Sequence, residues 1–309
     1  MDSATETFLA HRSLLFTVAY EMLGSAADAE DVVQETWLRW AGVDLDAVHN
    51  QRAYLVRIAA RQALNRVRTL NRRKESYIGS WLPEPLLTAP DVADDVELAE
   101  SVSIAMMLVL ETLTPTERAV FVLREVFDLD YDEIAEAVDK TSAAVRQIAH
   151  RARAHVAARR PRGPVSAVGN RGAVSSAGNR GAVSAVGNRD ALEAFQHAAE
   201  TGDLQRLLDI LAPDVVFLGD GGGIKQAALR PVVGAAAVAR VLAAGMSRIT
   251  AASLHPAQVN GSPALVLRFD GEIDTVFALR IDDGLVTGLY AVRNPEKLSH
   301  MEREITLRR

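Results

Sequence analysis

Cysteine is absent from all 309 residues, which excludes a disulfide framework and any thiolate metal site. Nothing in the composition argues for an oxidising compartment. No apolar run reaches the roughly eighteen residues of a membrane span, and the chain opens with Asp2 and Glu6 where a secretory leader carries positive charge. These absences predict a cytoplasmic chain with no membrane partner. No carboxylate–histidine spacing is diagnostic of a metal or a catalytic centre, so neither metal nor cofactor is expected.

What is present is apolar content, 49% of residues, enough to bury real cores. At roughly 150 residues per domain the length implies about two domains or more. The formal net charge of -6 argues against a nucleic-acid partner only until its distribution is examined. Arg52 to Lys74 holds eight bases and no acid, and Lys140 to Arg189 holds ten and no acid. Removing those 18 leaves 16 bases against 40 acids, so two basic blocks suited to phosphate sit in an otherwise acidic chain. Two solvated basic helix faces are the plainer alternative.

The first 160 residues carry helical patterns throughout. Phe8 to Leu23 is densely apolar and ends at Gly24, Asp28 opens a helix to Trp40, and a third runs from Gln51 to Lys74. The pattern fails at Trp81-Leu82-Pro83-Glu84-Pro85, whose prolines remove donors and favour extended neighbours, so a linker is predicted. Acidic residues from Asp91 to Glu100 lead into an apolar helix, Ile104 to Leu113. Thr114-Pro115-Thr116-Glu117 forms a capping box with proline at the first helical position. Residues 166–192 contain three nine-residue units, SAVGNRGAV, SSAGNRGAV and SAVGNRDAL, too few and too small for a solenoid core, which predicts a flexible tether. Beyond them come helices at Ala191 to Glu200 and Leu204 to Leu211. Strand-like runs follow at Val215 to Leu218, Ala264 to Phe269, Ile273 to Ile281 and Leu285 to Val292, with a helix at Ala235 to Met246. Helices followed by consecutive strands predict an α+β domain with a mostly antiparallel, curved sheet.

The sharpest chemical signal lies between Tyr131 and Val156. A short helix, the turn Asp139-Lys140-Thr141 and a longer helix from Ser142 form a helix-turn-helix pattern whose inner face is Val145, Ile148, Ala149 and Ala152. The opposite face then presents Ala143, Arg146, Gln147, His150, Arg151 and Arg153. Arg reads guanine edges and Gln adenine edges in a major groove, and the later bases suit phosphates. An ordinary helical hairpin with a basic face is the alternative. In the segment from Asp28 to Trp40, Asp28, Asp31 and Glu35 share one stripe and Val32, Val33, Trp37 and Trp40 the other. Periodicity alone leaves that acidic stripe either solvated or paired with a basic partner.

The runs DAEDVVQETWLRW, RAYLVRIAARQALNRVR and LTPTERAVFVLREVF with YDEIAEAV and SAAVRQIAHRARAHV resemble the two conserved regions of extracytoplasmic-function sigma factors, in order and spacing. WLPEP (Trp81, Leu82, Pro83, Glu84, Pro85), DGGG (Asp220, Gly221, Gly222, Gly223) and NPEKL (Asn294, Pro295, Glu296, Lys297, Leu298) are similar to hallmarks of the subgroup with a fused SnoaL-like domain. The resemblance implies a fold of two all-α sigma domains, the second with a helix-turn-helix, plus a C-terminal α+β cone-shaped SnoaL-like domain. The expected boundaries are residues 1–75 for region two, 76–100 for the linker, 101–162 for region four, 163–190 for the repetitive tether, 191–298 for the α+β domain and 299–309 for a tail.

The same resemblance implies roles. Asp28, Asp31, Gln34 and Glu35 would dock on RNA polymerase core enzyme. Arg52, Arg57, Arg61, Asn65, Arg66 and Arg68 would open and read the minus-ten element, with Asn65 standing where many members carry Asp. Ser142, Ala143, Arg146, Gln147, His150, Arg151 and Arg153 would read the minus-thirty-five element. The partners implied are polymerase core, promoter DNA and, for the C-terminal domain, an unidentified small-molecule ligand. Gly221-Gly222-Gly223 reads as a tight turn or a phosphate loop, without the spacing of a nucleotide-binding loop. Asp220, His255, Asp270 and Asp274 are the groups from which an acid–base pair would come. A non-catalytic promoter-specificity subunit is expected. The rival readings are a SnoaL-like isomerase or cyclase and a ligand-sensing repressor, each carried on a DNA-binding module.

Overall fold

The computed structural model describes residues 3–89, 95–159, 177–246 and 252–309. The chain divides into two compact units: residues 1–77, 86–160 and 302–309 form the first, and residues 78–85 and 161–301 the second. Among the described residues no helix is long and apolar enough to cross a membrane. Asp91 and Asp94 of the acidic lead-in lie outside the described residues.

In the first unit, α1 (Ser3–Leu23) stops at Gly24, whose φ of +71° suits a residue without a Cβ. Ser25 then caps α2 (Ala26–Trp40) through its hydroxyl, which accepts from the Asp28 N–H. Next come α3 (Gln51–Glu75), α4 (Val96–Val102), α5 (Ile104–Glu111) and α6 (Pro115–Phe121), the last opened by the Thr114/Glu117 capping box. α7 (Tyr131–Val138) ends on Asp139 at φ +55°, and α8 (Ser142–Arg159) follows.

One continuous apolar core runs through all of these helices. Trp40 is wholly buried and donates from Nε1 to the Ala4 carbonyl at 2.8 Å, which satisfies its only polar atom. The two helical regions, expected as separate domains, therefore share a core. Polar ties cross between them as well: Arg118 of α6 donates from Nε to the Glu21 carbonyl of α1 at 2.8 Å, and Ser101 of α4 donates to the Glu21 carboxyl, also at 2.8 Å. Burial pushes the Glu21 carboxyl up to about 8, against the pull of Ser101 and Arg118. The tail also packs here. Leu307 is buried in the same core, the Ile305 N–H donates to the Leu87 carbonyl at 2.8 Å, and Arg309 pairs with Asp95 at 2.9 Å.

The second unit opens with α9 (Ala177–Thr201), α10 (Leu204–Ile210) and β1 (Leu211–Asp220), followed by β2 (Val232–Val233) and α11 (Ala235–Met246). β3 (Ala252–Val259), β4 (Ser262–Phe269), β5 (Glu272–Asp282), β6 (Leu285–Val292) and the single turn α12 (Pro295–Leu298) complete it. The sheet order is β2-β1-β6-β5-β4-β3, antiparallel except where β1 runs parallel to β6, with register shifts in β1/β6, β4/β5 and β5/β6. Phe195 and Ala198 of α9 and Val238 of α11 pack with Leu265, Leu279 and Leu289 of the sheet.

Two features differ from expectation. α9 begins at Ala177 and so runs through most of the second and third nine-residue units, where a flexible tether is predicted; residues 166–176 lie outside the described residues. Once Ala191, Phe195 and Ala198 anchor the helix in the core, extending it backwards adds one hydrogen bond per residue with no new nucleation cost, and no proline interrupts it. β3 carries no alternating pattern because Pro256 interrupts it, and it lies at the sheet edge, where a missing donor is tolerated.

Candidate functional site

The helix-turn-helix forms as the periodicity requires. Val145, Ile148, Ala149 and Ala152 are buried, while Ala143, Arg146, Gln147, His150, Arg151 and Arg153 are exposed and Ser142 is half-buried beside Asp132, to which it donates. Arg146 lies over the Tyr131 ring at 5.5 Å, and Arg153 pairs with Glu125 at 3.0 Å. The face is thus both open and pre-oriented.

The basic helix α3 is less free. Arg61 and Asn65 are exposed and Arg52, Arg57 and Arg66 half-buried; the Arg68 side chain lies outside what is described. Arg66 is committed to the acidic stripe of α2, reaching Asp28 at 2.6 Å, Glu35 at 3.4 Å and also Asp31. Arg57 stacks on Tyr54 and pairs with Glu136 of α7, and Asn50 donates to Glu133 of the same helix at 3.4 Å. Part of the surface assigned to promoter reading therefore meets the other helical region.

On α2, Asp31 and Gln34 are exposed and Asp28 and Glu35 half-buried. Sequence reasoning missed Leu38, which is 68% exposed and one turn along the same face from Gln34 and Glu35. A large exposed apolar group flanked by acids was legible from its spacing, had the stripe been followed one turn further.

The three remaining motifs meet in the second unit. Asp220 ends β1 with no exposure; its Oδ2 accepts from the Leu82 N–H at 2.9 Å and from Lys297 Nζ at 2.8 Å. Lys297, 3% exposed, also donates to the Leu82 carbonyl at 2.6 Å and lies 3.4 Å from the centre of the Trp81 ring. A buried ammonium is thereby satisfied by a carboxylate, a carbonyl and an aromatic face together. Leu82, Pro83 and Pro85 are buried and Trp81 and Glu84 half-buried.

The glycine loop is a tight turn. Gly222 donates to Asp220 Oδ1 at 3.0 Å, and the Ile224 and Lys225 N–H groups both donate to the Gly221 carbonyl. A Cβ at Gly222, where φ is +65°, would overlap the Asn294 side chain, and one at Gly223 would press on Ile78. Asn294 caps α12 by accepting from the Glu296 N–H, Pro295 sits in the first turn, and Leu298 is buried. The N–H groups of Arg293 and Asn294 both donate to the Asp220 carbonyl, at 2.7 and 3.1 Å.

Beside this node the second unit holds a cavity of about 610 Å³ with mostly apolar walls. Of Asp220, His255, Asp270 and Asp274, only Asp274 lines it. His255 is exposed on the edge strand β3, bonded to Ser253, and Asp270 occupies a turn at φ +51°. Burial alone would raise the Asp274 carboxyl, but hydrogen bonds from Lys225, Thr275 and Arg293 outweigh it and bring it down to about 2. No cluster of three or more His, Asp or Glu suited to a metal occurs among the described residues.

A buried-core helix-turn-helix with an open basic face, joined to an α+β unit, defines a DNA-binding regulator of transcription. Residues 7–73 match the sigma-70 region 2 family and residues 103–156 the sigma-70 region 4 family. The chain is 33% identical to the ECF RNA polymerase sigma factor SigJ of Mycobacterium tuberculosis, across 94% of this chain and 92% of that one. It is 29% identical to the probable ECF RNA polymerase sigma factor SigI of the same organism, across 98% of each. The crystal structure of SigJ matches with a TM-score of 0.72 at 31% identity, covering 96% of this chain and 99% of that one. The chain belongs to the extracytoplasmic-function RNA polymerase sigma factors, with a SnoaL-like α+β domain fused at its C-terminal end.

Proposed function

We propose that the second unit regulates the sigma factor in cis by holding the segment that connects its two promoter-reading regions. The observation that carries this reading is the Lys297–Asp220 node, which grips Leu82 by both its N–H and its carbonyl while Lys297 covers Trp81. The chain leaves the first unit at Tyr77 and re-enters it at Leu86. A fixed Ile78–Pro85 therefore fixes the span available between region two and region four.

In this reading the exposed face of α8 reads the minus-thirty-five element through Arg146 and Gln147, and α3 reads the minus-ten element. The α2 stripe docks on polymerase core. The contacts of Arg57 with Glu136 and of Arg66 with the stripe make the described state one in which part of these surfaces is occupied. In the same reading the second unit acts without catalysis, and the cavity is the place for a small-molecule ligand.

The test is run-off transcription with core polymerase on the full chain. Trp81→Ala and the replacement of Asn294 to Leu298 by alanines should change transcript yield severalfold in the same direction, without changing the affinity of α8 for DNA. Parental yield from both variants would refute the reading.

A further inference from the structure

We propose that the cavity of the second unit binds an apolar molecule bearing one carboxylate, and that its occupancy is transmitted to Trp81 through Asp220 and Arg293. Cavities of several hundred cubic ångströms with few polar groups are the size and character of small-ligand sites. Here the walls are Phe195, Phe217, Leu254, Phe269 and Phe277, and the polar groups gather around Gln226, Asp274, Thr275 and Arg293. Arg293 spans them: Nη2 donates to Asp274 at 2.9 Å, Nε to Thr275 at 3.1 Å and Nη1 to the Gln226 carbonyl at 2.7 Å.

Charge fixes the ligand class. Lys225, just behind the lining, donates to the other oxygen of Asp274 at 2.7 Å, so one carboxylate answers two cations and the charge around the polar end sums to positive. An arginine already oriented by three acceptors, in a largely apolar wall, favours a carboxylate over a neutral or cationic head group.

The path to the linker is short and covalent. Gly219 lines the cavity and the next residue, Asp220, holds Leu82; Arg293 lines the cavity and the next residue, Asn294, caps the turn that presents Lys297. Both strand ends are clamped together where the Arg293 and Asn294 N–H groups meet the Asp220 carbonyl. A head group drawing Arg293 towards the cavity must load that clamp. The coupling rests on the cis-regulatory reading; the binding site does not.

The experiment uses the full chain labelled with fluorotryptophan, with the Trp81 fluorine signal assigned by Trp81→Phe, and titrates dodecanoate and dodecanol below micellar concentration. Dodecanoate should bind at least about tenfold more tightly than dodecanol, because hydrogen bonds to a charged group outweigh neutral ones. Arg293→Gln should erase that preference. Gly245→Phe should weaken binding severalfold while preserving the fold, since Gly245 lies at the exposed edge of the cavity lining and no atom lies within 4 Å of an added Cβ. Saturation should shift the Trp81 signal. Equal affinity for acid and alcohol would overturn the ligand class, and undiminished binding by Gly245→Phe would overturn the site. A stationary Trp81 signal at saturation would overturn the coupling. Should Trp81→Ala transcribe like the parent while binding behaves as expected, the regulatory reading falls and the carboxylate site stands.

Discussion

Arg146, Gln147 and Arg153 lie on one helix but are held differently. Arg146 and Gln147 project from the first turns of α8, whereas Arg153 is one of the later bases and is already paired with Glu125. Arg146→Ala or Gln147→Ala should cost about 1–3 kcal/mol of promoter affinity and relax base preference, while Arg153→Ala weakens all sequences alike. Binding measured across a panel of promoter variants separates these outcomes. Equal loss of discrimination from all three would contradict the assignment. Glu21 makes a second residue-level prediction. Its carboxyl, raised by burial to about 8, keeps its proton in the packed state while an unfolded carboxyl loses it near 4.5. Stability from this group is therefore lost progressively as pH rises through that window and levels off above about 8. Glu21→Gln should raise the melting temperature relative to the parent at about pH 8 and change it little near pH 4.5. The same difference at both pH values would show that the buried carboxyl is ionised throughout.

At the scale of elements, helices announced themselves because caps and periodicity are local. The Thr114/Glu117 box and Asp139 each sit where a short window predicts a boundary, α2 is capped by Ser25 three residues before the expected Asp28, and the inner face of α8 is the one its spacing demands. The edge strand β3 was hidden because Pro256 breaks the alternation, and the first half of α9 because its helicity is imposed by the buried residues at its far end rather than by the repeat. The α2 stripe was visible as charge and Leu38 by its spacing along it, but the Arg66 partner depends on packing between helices. Exposed ion pairs contribute little to folding, typically about 0–1 kcal/mol, yet complementary charge governs docking. Asp31→Lys with Glu35→Lys should abolish capture of core polymerase while helical content is kept, and Leu38→Ala should weaken capture by about tenfold, as loss of an apolar anchor does. Undiminished capture by the double variant would leave the stripe a solvated surface.

At the scale of the whole molecule, the subgroup resemblance implies that the three C-terminal motifs meet, but the bonds that join them into one node were not legible. Nothing local in WLPEP, DGGG and NPEKL says that a lysine from the third bonds the first across an aspartate of the second; that closure spans 215 residues. The shared core of the helical regions and the burial of Leu307 are long-range facts of the same kind. In the proposed reading, engagement of Ile78–Pro85 by the second unit sets transcription. The absence of cysteine makes a reversible test available. An added Cβ at Gly223 would lie 3.3 Å from the Ile78 Cβ, close to the spacing a disulfide bridges. Run-off transcription should be compared for Ile78→Cys with Gly223→Cys, oxidised and reduced, beside each single variant and Trp81→Ala. Locking the segment by oxidation should move yield severalfold in the direction opposite to Trp81→Ala, with reduction restoring it; equal yields before and after reduction of a fully crosslinked sample would contradict control through this segment.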